Sequence, residues 1–75
     1  QYISLYPNPT NGELYIASKE SLDGSTITIY DISGRLIKSD KLSSNTVNVS
    51  SLSSGVYFLN LDVQGQRVKL QFIKQ

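Results

Sequence analysis

Few groups in this sequence could do chemistry. Neither histidine nor cysteine occurs among its 75 residues, so the commonest general base, the commonest neutral metal ligand and the thiol nucleophile are missing. Six carboxylates remain, Glu13, Glu20, Asp23, Asp31, Asp40 and Asp62, together with hydroxyls that would need a lysine as base. An acid–base couple of the glycosidase kind needs two facing carboxyl groups roughly 5–9.5 Å apart. A calcium loop needs oxygen ligands at alternate positions of one segment. The six carboxylates fall in different turns and on different faces and meet neither need. Asp23-Gly24-Ser25 is a fragment of such a loop without the rest, and Ser39-Asp40-Lys41 is only a local polar run. No serine stands in an S-x-x-K setting backed by a second signature. The residues predict no catalytic site, no metal and no cofactor.

Binding is the next possibility. Of the five tyrosines, Tyr2, Tyr6 and Tyr30 could be exposed together as a sugar-stacking platform, whereas Tyr15 and Tyr57 are expected in the core or between sheets. Asn8-Pro9-Thr10 has the outer residues of a glycan acceptor, but the central proline disqualifies it. Asn48-Val49-Ser50 obeys the rule yet is expected inside a strand, where a glycan fits poorly. Arg67, Lys69 and Lys74 form a basic strip near the end of the chain. Such a strip either docks a partner or keeps an edge strand from pairing with neighbours.

The elements that must position these residues follow from the rhythm of the chain. Glycines stand at 12, 24, 34, 55 and 65, and Ser43-Ser44-Asn45 supplies a turn in the one long interval. Turns every ~8–12 residues are what a sandwich or barrel of short strands produces. Between them the pattern alternates with period two. Ile27 and Ile29 share a face; so do Tyr57, Leu59, Leu61 and Val63; so do Val68, Leu70 and Phe72. Leu14, Ile16, Val47 and Val49 face inward on shorter strands, and the opening Tyr2–Tyr6 adds another. One wet and one dry face implies antiparallel sheets over a shared core. Val63-Gln64-Gly65-Gln66 reads as a two-residue hairpin, and Asp31–Arg35 as a three-residue hairpin with Gly34 in the left-handed position. Asp31 is placed to bond its own turn's amides or to pair with Arg35. The expected fold is all-β, a seven-stranded antiparallel β-sandwich of immunoglobulin-like outline without the Cys and Trp hallmarks.

Length and charge bound the rest. A chain of this size buries only about 60% of its unfolded surface, which leaves no room for a deep substrate cleft beside the core. A net charge of +1 gives no field that would draw nucleic acid or an anionic membrane. No apolar run approaches the ~20 residues needed for a spanning helix. The absence of methionine and the start on Gln1 in strand-like text predict a piece of a longer protein. From residues alone the expectation is a small, non-catalytic antiparallel β module appended to a larger chain.

Four motifs in fixed order sharpen this. "YPNPTNG" at the start, "IYDISGRLI" in the middle, "LSSGVYFLNL" later and "RVKLQFIKQ" at the end together resemble the C-terminal sorting domain of the type IX secretion system, type A (Por), of Bacteroidota. The resemblance covers the chain from Tyr6 onward and implies that residues 1–75 are one C-terminal sorting domain of a longer secreted protein. It implies a cargo domain upstream in the same chain, passage through the periplasm, then export to the cell surface or medium. The implied partners are the outer-membrane translocon, a shuttle barrel protein and a sortase that usually removes the domain. It implies no catalytic activity.

The family's motif residues map onto Pro7, Asn8, Pro9, Asn11 and Gly12; then Asp31, Gly34 and Arg35; then Leu52, Gly55 and Tyr57; and finally Lys69 and Lys74. Most of these read as builders of the fold. Pro7 and Pro9 stop strand pairing, Gly12 and Gly34 are expected at positive φ, Gly55 admits the chain to its strand, and Tyr57 suits a core site with a backbone partner for its hydroxyl. Recognition is expected on the exposed side and backbone of the last strand, through Arg67, Lys69, Gln71 and Lys74, by strand addition. The same exposed edge makes an edge-paired or domain-swapped dimer plausible at high concentration. The competing reading is an accessory sandwich that binds carbohydrate or spaces an enzyme from a surface.

Overall fold

A computed structural model describes residues 3–75. Its regular elements are strands throughout: β1 (Ile3–Tyr6), β2 (Glu13–Ser18), β3 (Thr26–Asp31), β4 (Leu36–Lys41), β5 (Thr46–Asn48), β6 (Gly55–Val63) and β7 (Gln66–Lys74). They form two antiparallel sheets, β1-β2-β5 and β4-β3-β6-β7. The chain crosses between sheets after β2, after β4 and after β5, and this interleaving produces the expected immunoglobulin-like sandwich. Tyr2, one of the three tyrosines of the expected platform with Tyr6 and Tyr30, lies outside the described residues.

Alternation places the core as the sequence implies. Leu14, Ile16, Ile27, Ile29, Val47, Val49, Tyr57, Leu59, Leu61, Val63 and Phe72 are all buried. Ile3, Leu22 and Leu42 complete the cluster. Leu22 and Leu42 stand alone in polar connections, where no periodicity betrays them. Tyr57 stacks on Phe72 across the β6–β7 pair with centroids 5.5 Å apart, and its hydroxyl donates to the Ser53 carbonyl at 2.8 Å. A buried phenol with its polar end satisfied costs nothing in desolvation while its ring fills the core.

The turns resolve locally. Gln64 and Gly65 both take positive φ, 50° and 81°, and close a two-residue hairpin in which Val63 faces Gln66. The turn after β4 is made without glycine, by Ser44 and Asn45 at φ 59° and 54°. Its cost is offset by two side chains. Asp23 accepts the Ser44 amide at 2.8 Å, and the Asn45 carboxamide oxygen accepts the Leu22 amide at 3.2 Å.

Candidate functional site

The first, third and last motif segments meet at β7 and its neighbour β6, while the second forms the β3–β4 hairpin on the far side of β6. The first motif is a crank. After β1 the chain passes Pro7 and Pro9, whose preceding peptide bonds are both cis, and touches the edge of the other sheet before it returns as β2. Neither proline can donate to a ladder, so β1 ends at Tyr6. Asn8 then does what a strand's backbone would do: its Nδ2 donates to the Gln71 carbonyl at 3.1 Å and its Oδ1 accepts the Ile73 amide at 2.9 Å. Two residues on, Thr10 takes over with its own backbone. Its amide donates to the Ile73 carbonyl at 2.9 Å, and its carbonyl accepts the Gln75 amide at 2.8 Å. The result is a parallel bridge between Thr10 and Lys74 that straps the far half of β7.

Thr10 is 2% exposed. Its hydroxyl donates to the Glu13 carbonyl at 2.8 Å and accepts the Gly12 amide at 3.3 Å, so the crank is fixed from inside. Gly12 departs from expectation, because it does not take positive φ. A Cβ there would stand 3.3 Å from the Cβ of Ser50, and the Gly12 carbonyl accepts the Val49 amide at 2.7 Å. Close approach to Ser50, rather than handedness, is what favours a residue without a side chain here. Pro7, Pro9 and Asn11 are exposed.

The second motif is the β3–β4 hairpin. Gly34 has φ 91° and donates its amide to the Asp31 carbonyl at 3.0 Å, as the three-residue loop requires. Asp31 does both things expected of it. Its Oδ1 accepts the Ser33 amide, the Ser33 hydroxyl and the Arg35 amide at 3.0, 2.7 and 2.9 Å, and Arg35 Nε approaches Oδ2 at 3.2 Å. The Ser33 hydroxyl first, then the Arg35 amide, hold this carboxyl below the ordinary carboxylate value. In the third motif Leu52 packs partly buried against the core, and Gly55 opens β6 at φ 156°.

Two expectations about β7 divide. Arg67, Lys69 and Gln71 are exposed on its outer face. Lys74 is not, being only 7% exposed, with Nζ donating to the Gln75 carbonyl oxygen at 3.0 Å. The correction is one of parity: Lys74 lies an even number of residues from Phe72 and so points to the inner face with it. The tyrosine platform also fails. Tyr6 stacks on its cross-strand partner Tyr15, centroids 5.4 Å apart, on the outside of the three-stranded sheet, while Tyr30 belongs to the other sheet. Tyr15, expected inside, is turned out because Leu14 and Ile16 on either side face in. Asn48 ends β5 rather than lying within a strand, and its Oδ1 accepts the Ser50 amide and hydroxyl.

On the outer face of the four-stranded sheet, Tyr30, Phe58, Asn60, Arg67 and Lys69 line an open groove of about 440 Å³. Lys69 Nζ lies 4.8 Å above the Phe58 ring, and Arg67 pairs with Asp62 at 3.1 Å. Among the described residues no three of His, Cys, Asp or Glu gather as metal ligands would, and no long apolar helix is present. What the arrangement offers is a cationic strand face with a partly open edge.

Comparison with known proteins agrees with this geometry. The family described as "Secretion system C-terminal sorting domain" matches residues 4–75. Beta-agarase A of Zobellia galactanivorans is 32% identical over 69 residues, covering 89% of this chain and 13% of the agarase. Among solved structures, PorZ, described as an essential bacterial surface component of the type-IX secretion system of Porphyromonas gingivalis, superposes with a TM-score of 0.73. That match is 22% identical and covers 97% of this chain and 11% of PorZ, so it speaks to the fold. The chain therefore spans only a small part of the proteins it matches.

Proposed function

The chain belongs to the family of secretion system C-terminal sorting domains, and from that premise we propose how this one is used. It is a type IX sorting signal, all-β and without catalytic groups of its own. The observation that carries this is the family match across residues 4–75. The finer reading is that the domain sits at the C-terminus of a secreted protein, crosses the periplasm with its cargo and engages the outer-membrane translocon. A shuttle barrel protein and a sortase then act on it, and the cargo reaches the cell surface or medium. Recognition falls on the outer face and open edge of β7, through Arg67, Lys69 and Gln71. Lys74, turned inward, secures the strand's end. Of the remaining motif residues, Pro7 to Gly12 and Leu52 to Tyr57 build the fold around β7, and Asp31 to Arg35 close the β3–β4 hairpin two strands away.

The test is export of a periplasm-directed fluorescent reporter carrying residues 1–75 at its C-terminus, in a Bacteroidota host with an intact type IX system. The intact fusion is expected in the medium or on the surface, and a fusion lacking residues 67–75 is expected to stay in the periplasm. Retention of the intact, folded fusion would overturn this reading.

A further inference from the structure

The free edge of β7 is divided, and the division specifies what can pair with it. Hydrogen bonds to β6 use every second residue of β7, beginning with Gln66 opposite Val63. The alternate residues point their N–H and C=O groups away from β6. At the far end these outward groups are taken, the Gln71 carbonyl by Asn8, the Ile73 amide and carbonyl by Asn8 and Thr10, and the Gln75 amide by Thr10. At the near end the amides and carbonyls of Arg67 and Lys69, and the amide of Gln71, have no partner among the described residues. An unpaired stretch of this kind is a template for an added strand.

The side chains along that stretch are chemically sorted. On the outer face stand Arg67, Lys69 and Gln71; Arg67 is already paired with Asp62 of β6 at 3.1 Å, which leaves Lys69 as the cation without an acid beside it. On the inner face Val68 and Leu70 are only half-buried, packed against the core but not covered by it. A strand laid along this edge sets alternate side chains beside each group.

We infer that the Arg67–Gln71 edge binds an extended partner segment in which apolar and acidic residues alternate, apolar over Val68 and Leu70 and acidic beside Lys69. This rests on the reading of β7 as the recognition strand and names the partner's chemistry. The same sorting opposes pairing with a second copy: two such edges antiparallel about Lys69 would set Lys69 against Lys69, and like charges directly opposite are destabilising. The edge-paired dimer suggested by an open edge is therefore disfavoured at β7.

The probes are two capped synthetic peptides of about eight residues, long enough for a typical strand, one alternating valine with glutamate and the other valine with lysine. Each is titrated into the domain while backbone amide shifts and hydrogen exchange are followed. The glutamate peptide is expected to protect the amides of residues 67, 69 and 71, and the lysine peptide is not. Lys69→Glu keeps the amide and should weaken the glutamate peptide about tenfold. Lys69→Pro removes an outward amide but no bond to β6 and should abolish protection. Equal binding of both peptides, protection along β4 instead, or no protection would overturn the inference. Export separates it from the parent reading. An intact fusion that stays periplasmic sinks the sorting reading, whereas an intact fusion and a Lys69→Pro fusion exported alike sink this inference and leave sorting standing.

Discussion

The two open sides of the sandwich are closed by different means. On one side β1 and β7 lie together, and main chain and carboxamide groups of Asn8 and Thr10 bond directly to the edge of β7. On the other, between β4 and β5, a cleft of about 230 Å³ remains, crossed by one long side chain, Lys38, whose Nζ donates to the Asn48 carbonyl at 2.9 Å. Backbone closure draws on groups already ordered by their strands. Side-chain closure must immobilise a lysine whose rotamer entropy offsets most of what one exposed bond returns. The β4 edge is guarded instead by exposed charges of both signs, Asp40 and Lys41. One side is built and the other merely defended.

That contrast can be broken most severely from inside the strap. Thr10→Val keeps the shape but leaves the Glu13 carbonyl without its donor. The loss should be about 1–3 kcal/mol, measured by urea denaturation, and should show as faster exchange at the Gln75 amide. Asn8→Ala removes both carboxamide bonds at a solvent-accessible place and should cost about 1–2 kcal/mol, with the Ile73 amide losing protection while those facing β6 keep theirs. Lys38→Met, on the defended side, should change stability by no more than about 0.5 kcal/mol. If it costs as much as Asn8→Ala, the two sides are not closed differently.

The smallest effect belongs to the β3–β4 turn and is one of pH. Asp31 titrates below its ordinary value in the fold, so its contribution is complete above the unfolded value of about 3.9. It is lost as pH falls through the lowered folded value. Asp31→Asn should flatten the fall in stability below about pH 4, and an unchanged acid limb would show that the turn contributes nothing there.

Much of this frame was legible in the sequence because period-two alternation survives wherever a strand has one wet face. It placed Ile27, Ile29, Leu59, Leu61 and Phe72 correctly and fixed the two hairpins. The same rule, applied without exception, would have turned Tyr15 outward and Lys74 inward; residue type overrode it in both cases. The strap was not legible. "YPNPTNG" announces a corner, but that Asn8 reaches Gln71 and Ile73 depends on where the chain goes sixty residues later. Gly12 misled for a related reason. A turn glycine suggests handedness locally, and its neighbour Ser50 is remote in sequence. Leu22 and Leu42 carried no signal because a single buried residue in a loop has no period.

The parallel bridge at Thr10 has a mechanical consequence. Because the segment at Thr10 runs in the same direction as β7, a pull on the chain ahead of Thr10 against a hold at the end of β7 is directed along both. The bonds from Asn8 and Thr10 to β7 are then loaded together, in shear, instead of opening one after another like a zip. An antiparallel strap would have peeled.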